Sequence, residues 1–302
     1  MNNQNKVWTG IGFAVLATLI WSGNFIVARG EATKIPPVSL NFYRWLCASV
    51  LIAPFAIKKS QQEFDAVKKS IKFLAFSALF GISIFNSLVY IAGHYSSAIN
   101  LALIGTTSSP IMSIILAKYF LKERIGTLRI IGLVICIVGI LLLISGGSWD
   151  KLSHFRFTPG DWWILGAALC FAVYNTSVKR KPASISPVNF LFSTFIIGTI
   201  ILLPFFFWEL NISSAPQWDL NLVLSILYLG AGASVISFFC WNAAIARLGA
   251  GRASLFGNLI PIFSTVEAVL ILNEKISSIQ IISGLLVIGG LVLANLVLTK
   301  KS

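Results

Sequence analysis

Long apolar segments separated by short polar loops dominate this chain of 302 residues. Ten of the segments are long and apolar enough to cross a hydrocarbon layer of ~30 Å as helices of about 20 residues. The pattern therefore predicts an all-α integral membrane protein with ten transmembrane helices. The predicted segments are residues 7–28, 38–57, 71–92, 98–117, 128–144, 162–178, 188–208, 222–243, 253–272 and 277–298.

The same apolar pattern occurs twice along the chain. In each half, one segment carries a single proline, Pro110 or Pro261, and an acid follows thirteen residues later, Glu123 or Glu274. The two copies are related by an offset of 151, because 261 − 110 and 274 − 123 give the same difference. Further pairs at an offset of 150 or 151 are Asn24 with Tyr174, Pro37 with Pro187, Tyr90 with Trp241, and Gly139 with Gly290.

Each half contains five predicted crossings, which is an odd number, so the second half enters the membrane from the opposite side. The sequence therefore predicts two inverted five-helix repeats, residues 1–145 and residues 146–302. Inverted repeats are a common architecture of secondary transporters, which hold the substrate near the midplane where the halves meet. The alternative is that the duplication reflects only economy of folding.

Composition and charge agree with a membrane protein. Charged residues make up 11% of the chain, compared with roughly 25% in an ordinary soluble domain. With the N-terminus placed in the cytoplasm, cytoplasmic ends and loops hold 17 of the 23 Lys and Arg residues, the outside holds five, and Arg44 lies within a segment. The positive-inside rule then predicts a multi-pass protein of a bacterial inner membrane with both termini cytoplasmic. The net charge of +13 reflects this topology and does not predict a nucleic-acid partner.

No pattern in the sequence predicts a cofactor, a metal site or a catalytic site. The cysteines lie within apolar segments and without paired spacing, so they are interpreted as small apolar residues. Two histidines are too few for a zinc site. The chain also lacks the glycine-rich phosphate loop of ATP-driven proteins, and it is not predicted to be an enzyme. The four cysteines are Cys47, Cys136, Cys170 and Cys240.

Several short motifs occur together in the first half. Trp21 is followed by small and polar residues, the pair Pro36-Pro37 precedes the second segment, and Arg44 follows seven residues later. With the proline-to-acid spacing of the fourth segment, this combination resembles the EamA family of the drug/metabolite transporter superfamily. The resemblance covers the whole chain in two copies. It implies a secondary transporter of small metabolites such as amino acids or their derivatives, often in the export direction.

Polar and aromatic residues that share helical faces are candidates for the lining of a substrate cavity. Asn86 and Tyr90 are four residues apart and lie on one face, and Trp241 occupies the matching face in the second half. The alternative is that such residues form hydrogen bonds between helices without contacting substrate. The predicted substrate-binding residues are Trp21, Asn24, Asn86, Tyr90, Tyr174, Trp241, Asn258 and Glu267.

Glu267 and Arg44 are charged residues that lie well inside predicted crossings, away from the segment ends. An ionised group there costs about 2.5 to 3.5 kcal/mol unless it faces a partner or a wet cavity. Glu267 replaces Leu116 of the first repeat, and it is interpreted as a group that binds a substrate amine or a coupling proton. Arg44 is interpreted as structural, because the resemblance implies an arginine at this place without requiring a charged substrate. The sequence leaves open whether the two residues pair.

Two further patterns concern movement and packing. Pro110 and Pro261 each remove a backbone hydrogen bond in a crossing, so both are predicted hinges. Small residues recur every seven positions in the fifth and tenth segments, which predicts packing surfaces either within one protomer or between the two protomers of a homodimer. These small residues are Gly132, Gly139, Gly146, Ser283 and Gly290.

The sequence thus predicts a secondary transporter that moves a small polar or amphipathic metabolite across the inner membrane by alternating access. The expected substrate is an amino acid or a derivative, moved in the export direction, and a coupling proton is one of the two partners open to Glu267. One alternative is uptake of a nucleoside-like or S-adenosylmethionine-like metabolite, which Trp21, Tyr90 and Trp241 would bind by stacking. Another is a membrane scaffold without transport activity, which the buried acid Glu267 argues against.

Overall fold

The computed structural model describes residues 3–96, 98–148, 150, 153, 158–272 and 277–295. The regular secondary structure within these residues is helical throughout. Each predicted segment falls on one of the helices, which we label α1 to α10; the short helix Phe64–Lys69 connects α2 and α3. The bounds are α1 Asn3–Gly30, α2 Pro37–Gln62, α3 Ile71–Tyr95, α4 Ala98–Leu121, α5 Thr127–Ser145, α6 Pro159–Lys179, α7 Pro187–Ile212, α8 Leu220–Leu248, α9 250–272 and α10 Ser278–Asn295.

Within the described residues, six helices are long and apolar enough to cross a membrane. They are Gln4–Asn24, Pro37–Gln62, Ile71–Tyr95, Pro187–Ile212, Leu220–Leu248 and Ser278–Asn295. A shorter apolar helix covers Thr127–Leu143. The protein is therefore an all-helical, multi-pass membrane protein. The acid that follows Pro261 in the second copy of the repeat, Glu274, lies outside the described residues.

The helix ends follow local sequence signals. Pro37, Pro159 and Pro187 stand at the first positions of α2, α6 and α7, where proline loses no hydrogen bond and its fixed φ suits a helix. At the start of α6, the carboxylate of Asp161 accepts a hydrogen bond from the amide of Thr158 at 2.6 Å. Gly249, with φ of +88°, allows the sharp turn between α8 and α9 that a residue with a Cβ would resist.

Helices α2 and α7 run antiparallel, and each supplies a carboxylate to the N-terminus of the other. Glu209, near the end of α7, accepts hydrogen bonds from the amides of Val38 at 3.0 Å and Ser39 at 2.6 Å. Glu63, directly after α2, accepts from the amide of Ser186 at 2.9 Å, at the start of α7. Carboxylates stabilise exposed helix amides and the positive end of the helix dipole. Helices α2 and α7 are therefore joined at both ends by the same kind of hydrogen bond, from backbone amides to a carboxylate.

Two helices contain π-helical segments at corresponding places in the two halves, Leu79–Ile84 in α3 and Tyr228–Ile236 in α8. In α8 the amide of Ser237 reaches back five residues to the carbonyl of Gly232. The carbonyl of Ala233 therefore does not accept from the Ser237 amide, as it would in an α-helix. Such π segments occur frequently at functional sites.

Each packed pair of helices described below joins one helix of the first half to one helix of the second half. Helix α1 packs on α8 as α6 packs on α3, while α2 contacts α7, α4 contacts α9, and α5 contacts α10. In the α5–α10 pair, a Cβ added at Gly132 would lie 2.4 Å from the carbonyl oxygen of Gly290. The predicted small-residue surfaces of α5 and α10 thus pack against each other within one protomer.

Candidate functional site

A cavity of about 70 Å³ lies between the two halves of the chain. Helices α1 to α4 of the first half and α6, α8 and α9 of the second half contribute to its wall. A cavity of this volume has room for only a few water molecules, and it is smaller than the 300 to 1,000 Å³ typical of ligand pockets. Its lining residues are Trp21, Asn24, Arg44, Phe85, Asn86, Val89, Gly105, Thr106, Ser109, Pro110, Ile164, Ala167, Ala168, Phe171, Trp241, Ser254, Gly257 and Ile260.

The polar part of the lining is organised by Arg44, which is fully buried. Its Nη1 donates to Asn86 Oδ1 at 2.9 Å, to Asn24 Oδ1 at 3.0 Å and to the Tyr90 hydroxyl at 2.8 Å. Its Nε donates to Ser234 Oγ at 2.7 Å. The guanidinium therefore connects side chains from α1, α3 and α8 around one point of the cavity wall.

The carbonyl of Ala233, in the π segment of α8, takes part in the same arrangement. It accepts from Arg44 Nη2 at 3.1 Å and from Trp21 Nε1 at 2.8 Å. The unusual backbone of α8 thereby positions two residues of the cavity wall. No feature of the sequence pattern indicated a π segment here.

The apolar part of the lining is largely aromatic. The ring centroids of Trp21 and Trp241 lie 5.0 Å apart, and Phe171 lies 5.6 Å from Trp21 and 5.7 Å from Trp241. Phe85 stacks on Phe171 at 4.7 Å. Such rings pack in edge-on and stacked pairs that hold their shape well, and they suit the apolar body of a ligand.

Four of the residues predicted to bind substrate line the cavity: Trp21, Asn24, Asn86 and Trp241. The predicted hinge Pro110 also lines it. The other hinge, Pro261, follows the 3-10 segment Ser254–Leu259 of α9 and is not among the lining residues.

Three other predicted residues lie in helix contacts behind the cavity wall in this conformation. Tyr90 is buried against Arg44. Tyr174 donates to Asn242 Oδ1 at 3.0 Å. Asn258 is fully buried next to Cys136 of α5. Helical spacing had indicated their faces, but not the depth at which neighbouring helices close over them.

Glu267 lies outside the cavity lining, between α9, α1 and α8. Its Oε1 accepts a hydrogen bond from Ser22 Oγ, while Ser264 Oγ donates to the carbonyl of Ser22 at 3.3 Å. Tyr228 is close enough to interact electrostatically with Glu267. Among the described residues, Glu267 and Arg44 form no ion pair with each other. Ser22 stands between Trp21 and Asn24 in the chain, so Glu267 contacts the helix that forms one wall of the cavity.

Sequence reasoning missed the small and apolar lining residues of α6 and α9, Ala167, Ala168, Ile164, Gly257 and Ile260. Such residues are common in every membrane helix, and nothing distinguishes those at a cavity from those at a helix contact. The sequence favoured a structural role for Arg44, and the structure places this residue in the cavity wall.

The family model of the EamA-like transporter family matches the chain twice, over residues 8–145 and 158–296. An uncharacterized transporter of Bacillus subtilis is 28% identical over 94% of this chain and 92% of its own length. A probable terminal-alkyne amino-acid exporter of Streptantibioticus cattleyicolor is 26% identical over 98% of this chain and 95% of its own length.

Two further similarities extend this result. A probable amino-acid metabolite efflux pump of Escherichia coli is 24% identical over 92% of this chain and 92% of its own length. A solved crystal structure superposes with a TM-score of 0.75 over 97% of both chains, at 17% sequence identity. At that identity the likeness shows the shared fold alone.

Proposed function

Because the chain belongs to the EamA-like transporter family, we propose that it is a secondary transporter that exports an amino acid or amino-acid derivative by alternating access. The observation that carries this proposal is the cavity between the two halves of the chain. Its wall combines a cluster of polar side chains around Arg44 with aromatic rings, and both halves contribute residues to it. Relatives named as an amino-acid exporter and an amino-acid metabolite efflux pump support the substrate class and the direction.

The proposed architecture has ten crossings in two inverted five-helix repeats, residues 1–145 and 146–302. The two matches of the family model support this division. The reciprocal carboxylates of α2 and α7 and the paired π segments of α3 and α8 support the inverted relation. In such a protein the halves rock about a site between them, and the small cavity corresponds to a contracted state of that site.

The proposed orientation places both termini in the cytoplasm of a bacterial inner membrane, since 17 of 23 cations then lie inside. In a variant without the four native cysteines, a cysteine at position 148 should react with a membrane-impermeant thiol reagent in intact cells. A cysteine at position 60 should react only after the membrane is permeabilised. The opposite labelling pattern would contradict the orientation, and labelling of both positions from the same side would contradict the inverted repeat.

Export is tested by comparing cells that lack the gene with cells that overproduce the protein. Mass spectrometry of medium and cytoplasm should show an amino-acid-derived metabolite that is richer in the medium when the protein is present. The same compound should then move across proteoliposomes that contain the purified protein. Enrichment inside the cells would favour uptake instead, and identical profiles with inert proteoliposomes would remove the transport proposal.

A further inference from the structure

Among the described residues, no acidic side chain forms an ion pair with the buried cation Arg44, although Tyr228 interacts electrostatically with both Arg44 and Glu267. All five acceptors of Arg44 are neutral: two amide side chains, two hydroxyls and one backbone carbonyl. Within the described residues, ion pairs join only Lys34 with Glu31 and Asp219, and Arg129 with Glu123. A charge inside the membrane is expensive unless it faces a partner or a wet cavity, and Arg44 reaches the cavity.

The repeat argues that the fold itself does not require this arginine. The offset of 150 that relates Pro37 to Pro187 places Thr194 at the position of Arg44, since 44 + 150 = 194. Thr194 is fully buried and bonds only to carbonyls of its own helix, those of Phe190 and Leu191. The second half therefore builds the same helix position without a cation.

Asn86 and Arg44 both have hydrogen-bonding capacity at the cavity that their described partners do not fill. Asn86 is fully buried, and its Nδ2 lacks a partner. Arg44 Nη2 carries two hydrogens, and its one acceptor is the Ala233 carbonyl. Both residues line the cavity. A buried amide without a partner is destabilising, so these donors are arranged for an acceptor that enters from the cavity.

We propose that Arg44 and Asn86 form a subsite for the carboxylate of the transported metabolite. A guanidinium N–H beside an amide N–H suits a carboxylate better than a neutral oxygen, because charge-assisted bonds are about twice as strong as neutral ones. Trp21, Phe171 and Trp241 supply apolar surface for the rest of the molecule. The substrate class is then a small carboxylate with an apolar body. This inference rests on the proposed transport function and specifies its substrate.

The test uses the purified full-length protein and four compounds that share one isobutyl group: L-leucine, 4-methylpentanoate, L-leucinamide and isopentylamine. Binding is followed by the change in the intrinsic tryptophan fluorescence of the protein, which includes Trp21 and Trp241, and by thermal stabilisation. The two compounds with a carboxylate should bind at least about tenfold more tightly than the two compounds that lack a carboxylate. Comparable affinity across the series, or binding by none of the four, would overturn the subsite.

The variant Asn86→Asp places a carboxylate 2.9 Å from Arg44 Nη1, where Asn86 Oδ1 now lies. It should raise the melting temperature, because the buried cation gains a partner, and it should abolish the preference for carboxylates. The control Asn86→Ser adds no charge and uses the residue that the repeat has at position 237; it should retain the preference with a smaller loss of affinity. A full preference in Asn86→Asp would contradict the proposal.

This outcome is separable from that of the transport proposal. If the cells and proteoliposomes export a metabolite that has no carboxylate, the transport function stands and the subsite is wrong. If they export nothing, the transport function is wrong whatever the compounds bind.

Discussion

Replacing Ala168 with leucine should reduce transport about tenfold or more while leaving the protein at least as stable as the wild type. Ala168 is buried on α6 and lines the cavity, so a larger apolar side chain occupies the space that substrate needs. Filling a cavity commonly stabilises a protein by about 0.5 to 2 kcal/mol. Loss of transport with an unchanged or higher melting temperature therefore separates occlusion from misfolding. Both are measured on the same purified sample.

The adjacent residue provides the matched control. Leu169 is 48% exposed on the outer surface of the same helix, and Leu169→Phe adds apolar bulk there without touching the cavity. It should retain transport near the wild-type rate. Equal transport by Ala168→Leu and wild type would show that the cavity is not the path of the substrate.

The helices could be predicted from the sequence because each needs only a long apolar run, and the described helices fall on the predicted segments. The π segments could not, because Leu79–Ile84 and Tyr228–Ile236 read as ordinary apolar helix. Their backbone depends on tertiary contacts, such as the Ala233 carbonyl that accepts from both Trp21 and Arg44. The sequence of the segment itself does not show which distant residues will contact it.

The candidate site was predictable where one residue contrasts strongly with its surroundings. Trp21, Asn24, Asn86 and Trp241 are polar or aromatic groups on apolar helices, and the structure brings all four to one cavity. Tyr90 has the same contrast, yet it supports Arg44 from behind the wall. Helical periodicity predicts the face of the helix on which a residue lies. Whether that residue reaches the cavity depends on how neighbouring helices pack, and therefore on side chains far away in the chain.

The two charged residues well inside the predicted crossings both break the repeat. Arg44 stands where the second half has Thr194, and Glu267 stands where the first half has Leu116. A duplicated scaffold that folds with threonine and leucine at these positions does not need the charges for folding. The asymmetry therefore favours roles in recognition and coupling, with the cation facing the cavity and the acid contacting the helix behind Trp21.

Replacing Glu267 with glutamine should abolish transport driven by a pH gradient while preserving substrate exchange in the absence of a gradient. Ser22 Oγ lies within hydrogen-bonding distance of both Glu267 Oε1 and the carbonyl of Leu19, but a hydroxyl carries only one hydrogen. With Glu267 ionised, that hydrogen points to the carboxylate. With Glu267 protonated, the acid donates to Ser22 Oγ and the serine hydrogen turns to Leu19. Rotation of one hydroxyl thus accommodates both protonation states.

Glutamine at position 267 can donate through its amide to Ser22 Oγ, so Glu267→Gln imitates the protonated acid and cannot release a proton. Tyr228, which faces Glu267 from α8, remains in place, and its hydroxyl still donates to the carbonyl of Ile20. Under an imposed pH gradient, proteoliposomes with this variant should show no more accumulation than protein-free vesicles. Counterflow exchange at equal pH should continue.

The control is Glu31→Gln, which changes another acid between α1 and α8. Glu31 directly follows the C-terminal end of α1. It accepts a hydrogen bond from Ser225 Oγ at 2.9 Å and pairs with Lys34 at 3.5 Å. Because this carboxylate already has a fixed cation, its replacement should affect stability more than coupling, and gradient-driven transport should persist. If Glu267→Gln transports at the wild-type rate across the same range of gradients, then Glu267 only fastens α9 to α1. The coupling proton would then have to bind elsewhere.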